Sequence, residues 1–240
     1  MRALPRSYRF RAAVFLARIL MPVVRATKMF RERRTTVVET PMEIVLYSIL
    51  NALGRAGTEF EPRVHVRGFE LIETSIGSGK GVLLISARTM LGHAFVRYLV
   101  DHGYSVSLVS PDPYRLFGRR TPVPTISPGL KYFMEVREHL RKGEIVIATP
   151  DRGRARRART LSVKTREGTV HFATPLIEVA INAKADVIFM RTWLKNDVIA
   201  IELSPSSLSG EPEANAIALQ YADLVRRHVA ERDSFIPDRD

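Results

Sequence analysis

Apolar residues fall along this 240-residue chain in two rhythms. Continuous apolar runs, "GVLLIS" at 81–86 and "EIVIATP" at 144–150, are patterned as strands buried on both faces, because no polar alternate interrupts them. Shorter stretches, "VHVRG" at 64–68, "YSVSLVS" at 104–110, "GTVHF" at 168–172, "ADVIFMRTW" at 185–193 and "DVIAIEL" at 197–203, predict further strands. Between them, apolar positions three and four apart predict helices over "MEIVLYSILNALG" (42–54), "FELIETSIGSGK" (69–80) and "GHAFVRYLVDHG" (92–103). The same spacing predicts "KYFMEVREHLRKG" (131–143), "PLIEVAINAK" (175–184) and "EPEANAIALQYADLVRRHVAER" (211–232). Residues 111–129, with five prolines, predict a long loop. Strand and helix alternate, so the expected fold class is α/β, one domain with a largely parallel central sheet flanked by helices.

Composition changes this picture mainly at the N-terminus. A chain of this length with 45% hydrophobic residues can build one sizeable core. The net charge of +12 raises the question of nucleic acid, but residues 1–34 hold ten Arg or Lys against one acid, Glu32, so that segment carries +9 and the rest +3. Within it, "RFRAAVFLARILMPVVRATKMF" predicts a helix with Phe10, Val14, Ala17, Met21 and Val24 along one face and Arg11, Arg18 and Arg25 on a flank. Arg18 breaks the apolar run far short of the roughly 18 to 20 residues that a spanning helix needs. The segment reads as a helix lying in a membrane interface, with arginines on anionic headgroups. A core helix with a solvated basic edge and a signal peptide are the alternatives; Arg18 and the lack of a following A-x-A site weigh against the signal peptide. This divides the chain into a basic amphipathic arm, 1–34, and an α/β domain, 35–240. Charges interleaved with a wide apolar surface suit lipid better than a phosphate backbone, so nucleic acid is not expected as a partner. Cysteine is absent, which excludes disulfides, thiolate nucleophiles and Cys-based zinc sites.

Several short motifs invite a chemical reading. "GSGKG" at 77–81 has the look of a phosphate loop, but Gly81 stands where Ser or Thr is required and the glycines precede a strand where such a loop would follow one. An H-x4-[DE] spacing occurs at His65, His139 and His228, each away from the carboxyl end of a buried strand, and all three pairs are expected to be incidental. The two strand ends at the edge where parallel sheets bind ligands are "LLIS" leading to Arg88 and "VIAT" leading to Asp151. A surface arginine and a turn or cap aspartate are the plainer readings of these two residues.

The order "VRGFELIETSIGSGKGVLLISARTMLGHAFVRYLVDHGYSVSLVS", "LRKGEIVIATPDRG" and "VHFATPLIEVAINAKADVIFM" resembles the lipid A late acyltransferase family, within the lysophospholipid acyltransferase superfamily, from about Val64 to Trp193. In that family an Ala-His pair after the apolar strand, with a carboxylate five residues on, supplies a general base for an acceptor hydroxyl and the group that orients it. Side by side, Arg88 stands at the histidine position and His93 at the carboxylate position. The resemblance therefore implies the fold and a lipid setting but does not carry over the dyad. Asp151 matches the family's aspartate, with Gly143 and Pro150 around it, and Arg119, Arg120 and Lys131 are candidates for a recurring basic residue.

The function expected is transfer of a fatty acyl chain from acyl-CoA or acyl carrier protein to a hydroxyl of a membrane phospholipid or glycolipid, at the cytoplasmic face of the inner membrane, as a peripheral protein. His93, Asp151 and Arg88 are the expected catalytic residues, with Arg88 disfavouring the imidazolium and keeping His93 neutral for use as a base. Arg152, Arg154, Arg156 and Arg157, with Arg119, Arg120 and Lys131, are expected to meet substrate phosphates. No metal or cofactor is expected. A non-catalytic relative that kept the lipid groove and lost turnover is the alternative.

Overall fold

The computed structural model describes residues 4–26, 40–86, 89–110, 115–117, 119–120, 123–129, 131–149, 160–165, 168–206 and 213–234. The elements, in chain order, are α1 (Arg6–Ala26), α2 (Pro41–Arg55), β1 (Val64–Arg67), α3 (Glu70–Gly77), β2 (Val82–Ser86), a 3-10 turn (Met90–Gly92), α4 (His93–Asp101) and β3 (Val106–Val109). They continue with β4 (Arg115–Leu116), β5 (Arg119–Arg120), β6 (Thr125–Ile126), α5 (Tyr132–Arg141), β7 (Ile145–Ala148), β8 (Thr160–Thr165) and β9 (Gly168–Ala173). The last four are α6 (Pro175–Asn182), β10 (Asp186–Lys195), β11 (Val198–Pro205) and α7 (Ala214–Ser234).

Seven strands form a mixed sheet in the order β1-β11-β10-β2-β7-β3-β6. The five from β10 to β6 are mutually parallel; β11 pairs antiparallel with β10 through a two-residue turn, and β1 runs parallel to β11. Asn196 and Asp197 both adopt positive φ in that turn, 49° and 61°, the backbone that a tight hairpin requires and that Asn and Asp tolerate. Every residue of β2 and β7 is buried. Successive side chains point to opposite faces of a strand, so Val82 and Leu84 join the cluster formed with α1, α2, α3 and α4, while Leu83 and Ile85 join α5, α6 and α7.

The proline-rich segment differs from the loop expected there. Leu108 N donates to Pro124 O (2.9 Å) and Ser110 N to Ile126 O (3.1 Å), so residues 125–126 add an edge strand beside β3. Proline is compatible with that position because the edge leaves its missing donor unneeded. Thr160–Thr165, for which no element is predicted, pairs with β9 as an antiparallel ribbon.

α1 is built into this core. Phe10, Ala13, Val14 and Ala17 have no solvent exposure and pack with Leu46 and Leu50 of α2. Its opposite face carries Tyr8, Phe15 and Ile19, exposed by 57%, 64% and 55%. Arg18 on the flank pairs with Asp197 at the β10–β11 turn (2.6 Å). The face that the sequence pattern selects through Phe10, Val14 and Ala17 is therefore turned inward. Among the described residues, no helix is long and apolar enough to cross a membrane.

Of the glycines of "GSGKG", Gly81 has a packing explanation. A Cβ on Gly81 would lie 2.1 Å from the carbonyl oxygen of Leu140, so the strand can approach the end of α5 only with glycine there.

Candidate functional site

At the carboxyl ends of the parallel strands, the helices that next follow the neighbours β2 and β7 lie on opposite faces of the sheet. The helix after β2 is α4, whose Ala94, Phe95 and Leu99 pack on the Val82/Leu84 face. The next helix after β7 is α6, whose Leu176, Ile177 and Ala180 pack on the other. Such a reversal between adjacent parallel strands marks the strand edge outside which open α/β sheets usually hold a ligand, here called the crevice.

His93 opens α4 at this edge, half-buried, immediately after the 3-10 turn. Tyr47 of α2 meets its ring edge-on with centroids 5.5 Å apart, and the buried Phe117 lies 6.3 Å away. Phe117 also packs on Tyr47 (6.0 Å) and Phe60 (5.3 Å). It does so at a φ of 45°, a left-handed backbone unfavourable for a bulky residue and tolerated here because burial of the ring compensates. Tyr47 reaches the site because α2 is fastened one turn earlier. Thr40 and Glu43 form a reciprocal cap, with Thr40 Oγ1 accepting from Glu43 N (3.2 Å) and Thr40 N donating to Glu43 Oε2 (2.8 Å). The other oxygen of the buried Glu43 carboxylate accepts from Leu194 N of β10 (2.9 Å). One side chain thus caps the helix and ties it to the sheet.

No protein-family model and no curated protein matches this chain. Function is therefore read from the crevice and the residues around it.

The expected site residues separate by position. Phe117 links β4 and β5, so the backbone of Arg119 and Arg120 is carried on the hairpin packed beside His93. Lys131 is exposed at the start of α5, past β6, three strands from β2 in the sheet order. Arg88, Asp151, Arg152, Arg154, Arg156 and Arg157 lie outside the described residues, as do the side chains of Arg119 and Arg120. Among the described residues, no group of three His, Asp or Glu side chains converges as a metal site.

Of the three H-x4-[DE] pairs, His139 and Glu144 meet, in a contact that lies away from the carboxyl ends of the strands. His139 Nδ1 lies 2.6 Å from Glu144 Oε2 and 3.2 Å from Oγ of the buried Ser107. Serine and carboxylate share one ring nitrogen, so the group cannot relay a proton as a Ser-His-acid triad does through both. It sits at the amino ends of β3 and β7, opposite the crevice, and fastens α5 to those strands. His65 is exposed on β1, and the side chain of His228 lies outside the described residues.

A concavity of about 930 Å³ runs along α4, between Ala94, Arg97 and Tyr98 on one wall and His65, Lys195 and Ala200 on the other. Arg97 is paired with Asp101 across one helical turn (2.6 Å).

Tyr47, Phe117, Thr89 and Thr192 surround His93 and Gly92 but do not stand out in the sequence reading. For Tyr47 the available signal is the capping pattern T-P-M-E at 40–43, which places the start of α2. For Thr192 it is "MRTW", where polar residues enter an otherwise apolar strand at its carboxyl half.

Proposed function

We propose that this protein is a membrane-associated acyltransferase-like α/β protein, moving a fatty acyl chain from a thioester of coenzyme A or acyl carrier protein to a hydroxyl of a phospholipid or glycolipid. The observation that carries this reading is the seat of His93, at the start of α4 beyond the carboxyl end of β2, where the helices following the paired strands β2 and β7 lie on opposite faces of the sheet. An imidazole there takes the proton of an attacking hydroxyl, and the rings of Tyr47 and Phe117 hold it in orientation while supplying an apolar wall for an acyl chain. Arg119 and Arg120, on the hairpin beside it, supply charge for a phosphate.

Peripheral attachment at the cytoplasmic face of the inner membrane is part of the same proposal. Support comes from the outward face of α1, where Tyr8, Phe15 and Ile19 are exposed beside Arg11, within a segment carrying nine of the twelve net positive charges. The test is transfer itself. Purified protein is incubated with acyl-CoA or acyl carrier protein and a bacterial lipid extract, and acceptor lipids are followed by mass. A gain of one acyl chain that depends on His93 supports the reading. Retention of lipid with no transfer under any donor supports the non-catalytic alternative.

A further inference from the structure

We infer that Thr89 and Thr192 form an oxyanion-binding subsite beside His93. This rests on the acyl-transfer reading and extends it to the carbonyl oxygen of the donor. Thr192 is 2% exposed, in the polar half of β10, two residues beyond the Met190 to Ser86 pairing that marks the end of β2. Its Oγ1 and that of Thr89 are both shielded from solvent and without a hydrogen-bond partner among the described residues. A buried hydroxyl with no partner is destabilising, and such groups concentrate where a ligand completes the bonding.

The two hydroxyls face one place. A Cβ on Gly92 would stand 3.0 Å from Thr89 Oγ1 and 3.9 Å from Thr192 Oγ1. Gly92 carries no side chain there, so its backbone leaves the two hydroxyls uncovered on that side. The third neighbour is the Cε methyl of Met190, 3.5 Å from the same point, the end of an unbranched side chain that can withdraw to admit a ligand. Gly92 immediately precedes His93.

The step is as follows. The acceptor hydroxyl oxygen attacks the thioester carbonyl carbon and gives its proton to the His93 ring. The carbonyl π pair moves onto the oxygen, which becomes an oxyanion held by the two threonine O–H donors. The pair then returns, the C–S bond breaks, and the departing thiolate takes the proton from the imidazolium, leaving an ester and a free thiol.

The test uses Thr192→Val, which keeps shape and removes the donor, Thr192→Ser, which keeps the donor, and Gly92→Ala, which fills the space. Dodecylphosphonate, a tetrahedral anion on an alkyl chain, is the binding probe. It should raise the melting temperature of the parent and of Thr192→Ser but not of Thr192→Val or Gly92→Ala. With no ligand, Thr192→Val should melt at or above the parent, because a partnerless hydroxyl has been removed. In acyl transfer, Thr192→Val should lose about 10²-fold in kcat with KM little changed, and Thr192→Ser should recover most of it. A parent that fails to bind the phosphonate, or a Thr192→Val variant that binds it as the parent does, overturns the subsite. A parent that transfers acyl chains at a rate Thr192→Val leaves unchanged also overturns it, while sparing the acyl-transfer reading. Binding that depends on Thr192 in a parent without transfer upholds the subsite and sinks that reading.

Discussion

The two faces of α1 make opposite demands on a single substitution. Phe10 is fully buried against α2, and truncation to Ala removes a large core side chain, a loss of about 3–5 kcal/mol. Domains of this kind are stable by about 5–15 kcal/mol, so Phe10→Ala should lower the urea midpoint by about a fifth or more with the slope unchanged. The single tryptophan, Trp193 on β10, with the Arg191 guanidinium 5.6 Å from its ring, reports the transition by fluorescence. Phe15 is 64% exposed, and Phe15→Ser should change stability by less than about 0.5 kcal/mol. It should instead weaken attachment to lipid. Full burial of such a side chain contributes about 1.5–3 kcal/mol, and roughly two-thirds of that remains available here, which predicts about 5–30-fold weaker partitioning to anionic vesicles in a flotation assay. The inverse pattern, Phe10→Ala stable but detached from vesicles and Phe15→Ser unstable but attached, would refute the packing of α1 on α2. Deletion of residues 1–34 should yield aggregated rather than freely soluble protein, because it uncovers Leu46 and Leu50.

Two further outcomes follow from packing elsewhere in the fold. Glu43→Ala strands Leu194 N and the Thr40 N–H together, so it should lower stability by about 2–4 kcal/mol in urea titration, against little change for the exposed Glu135→Ala; equal midpoints would remove Glu43 from its fastening role. Burial raises the Tyr132 phenol well above its usual range and so favours its neutral form in the folded state. The associated stability is present below about pH 10 and is lost as pH rises beyond it, so the melting temperature of the parent should fall more steeply between pH 9.5 and 11.5 than that of Tyr132→Phe; parallel curves would contradict this.

Much of the architecture was legible because burial on both faces leaves a plain trace. "VLLIS" and "IVIA" read as strands since neither side of β2 or β7 meets water, and the helices read from their three-and-four spacing. What escaped depends on contacts remote in sequence. Residues 125–126 become a strand through pairing with β3, and Thr160–Thr165 through pairing with β9; neither has a local pattern strong enough to announce it. The pairing of His139 with Glu144 arises because α5 ends against the start of β7, a tertiary placement that spacing alone does not supply. The position of His93 at a strand end was readable, but its aromatic seat was not, since Tyr47 and Phe117 arrive from segments 46 residues before and 24 residues after it.

The measurement closest to the central claim is steady-state acyl transfer by the parent and by His93→Ala, with a labelled acyl thioester as donor and a bacterial lipid extract as acceptor. General-base catalysis by His93 predicts that kcat falls by about 10² to 10⁴ while KM stays within a few-fold and the urea midpoint holds. Undiminished transfer by His93→Ala would contradict it.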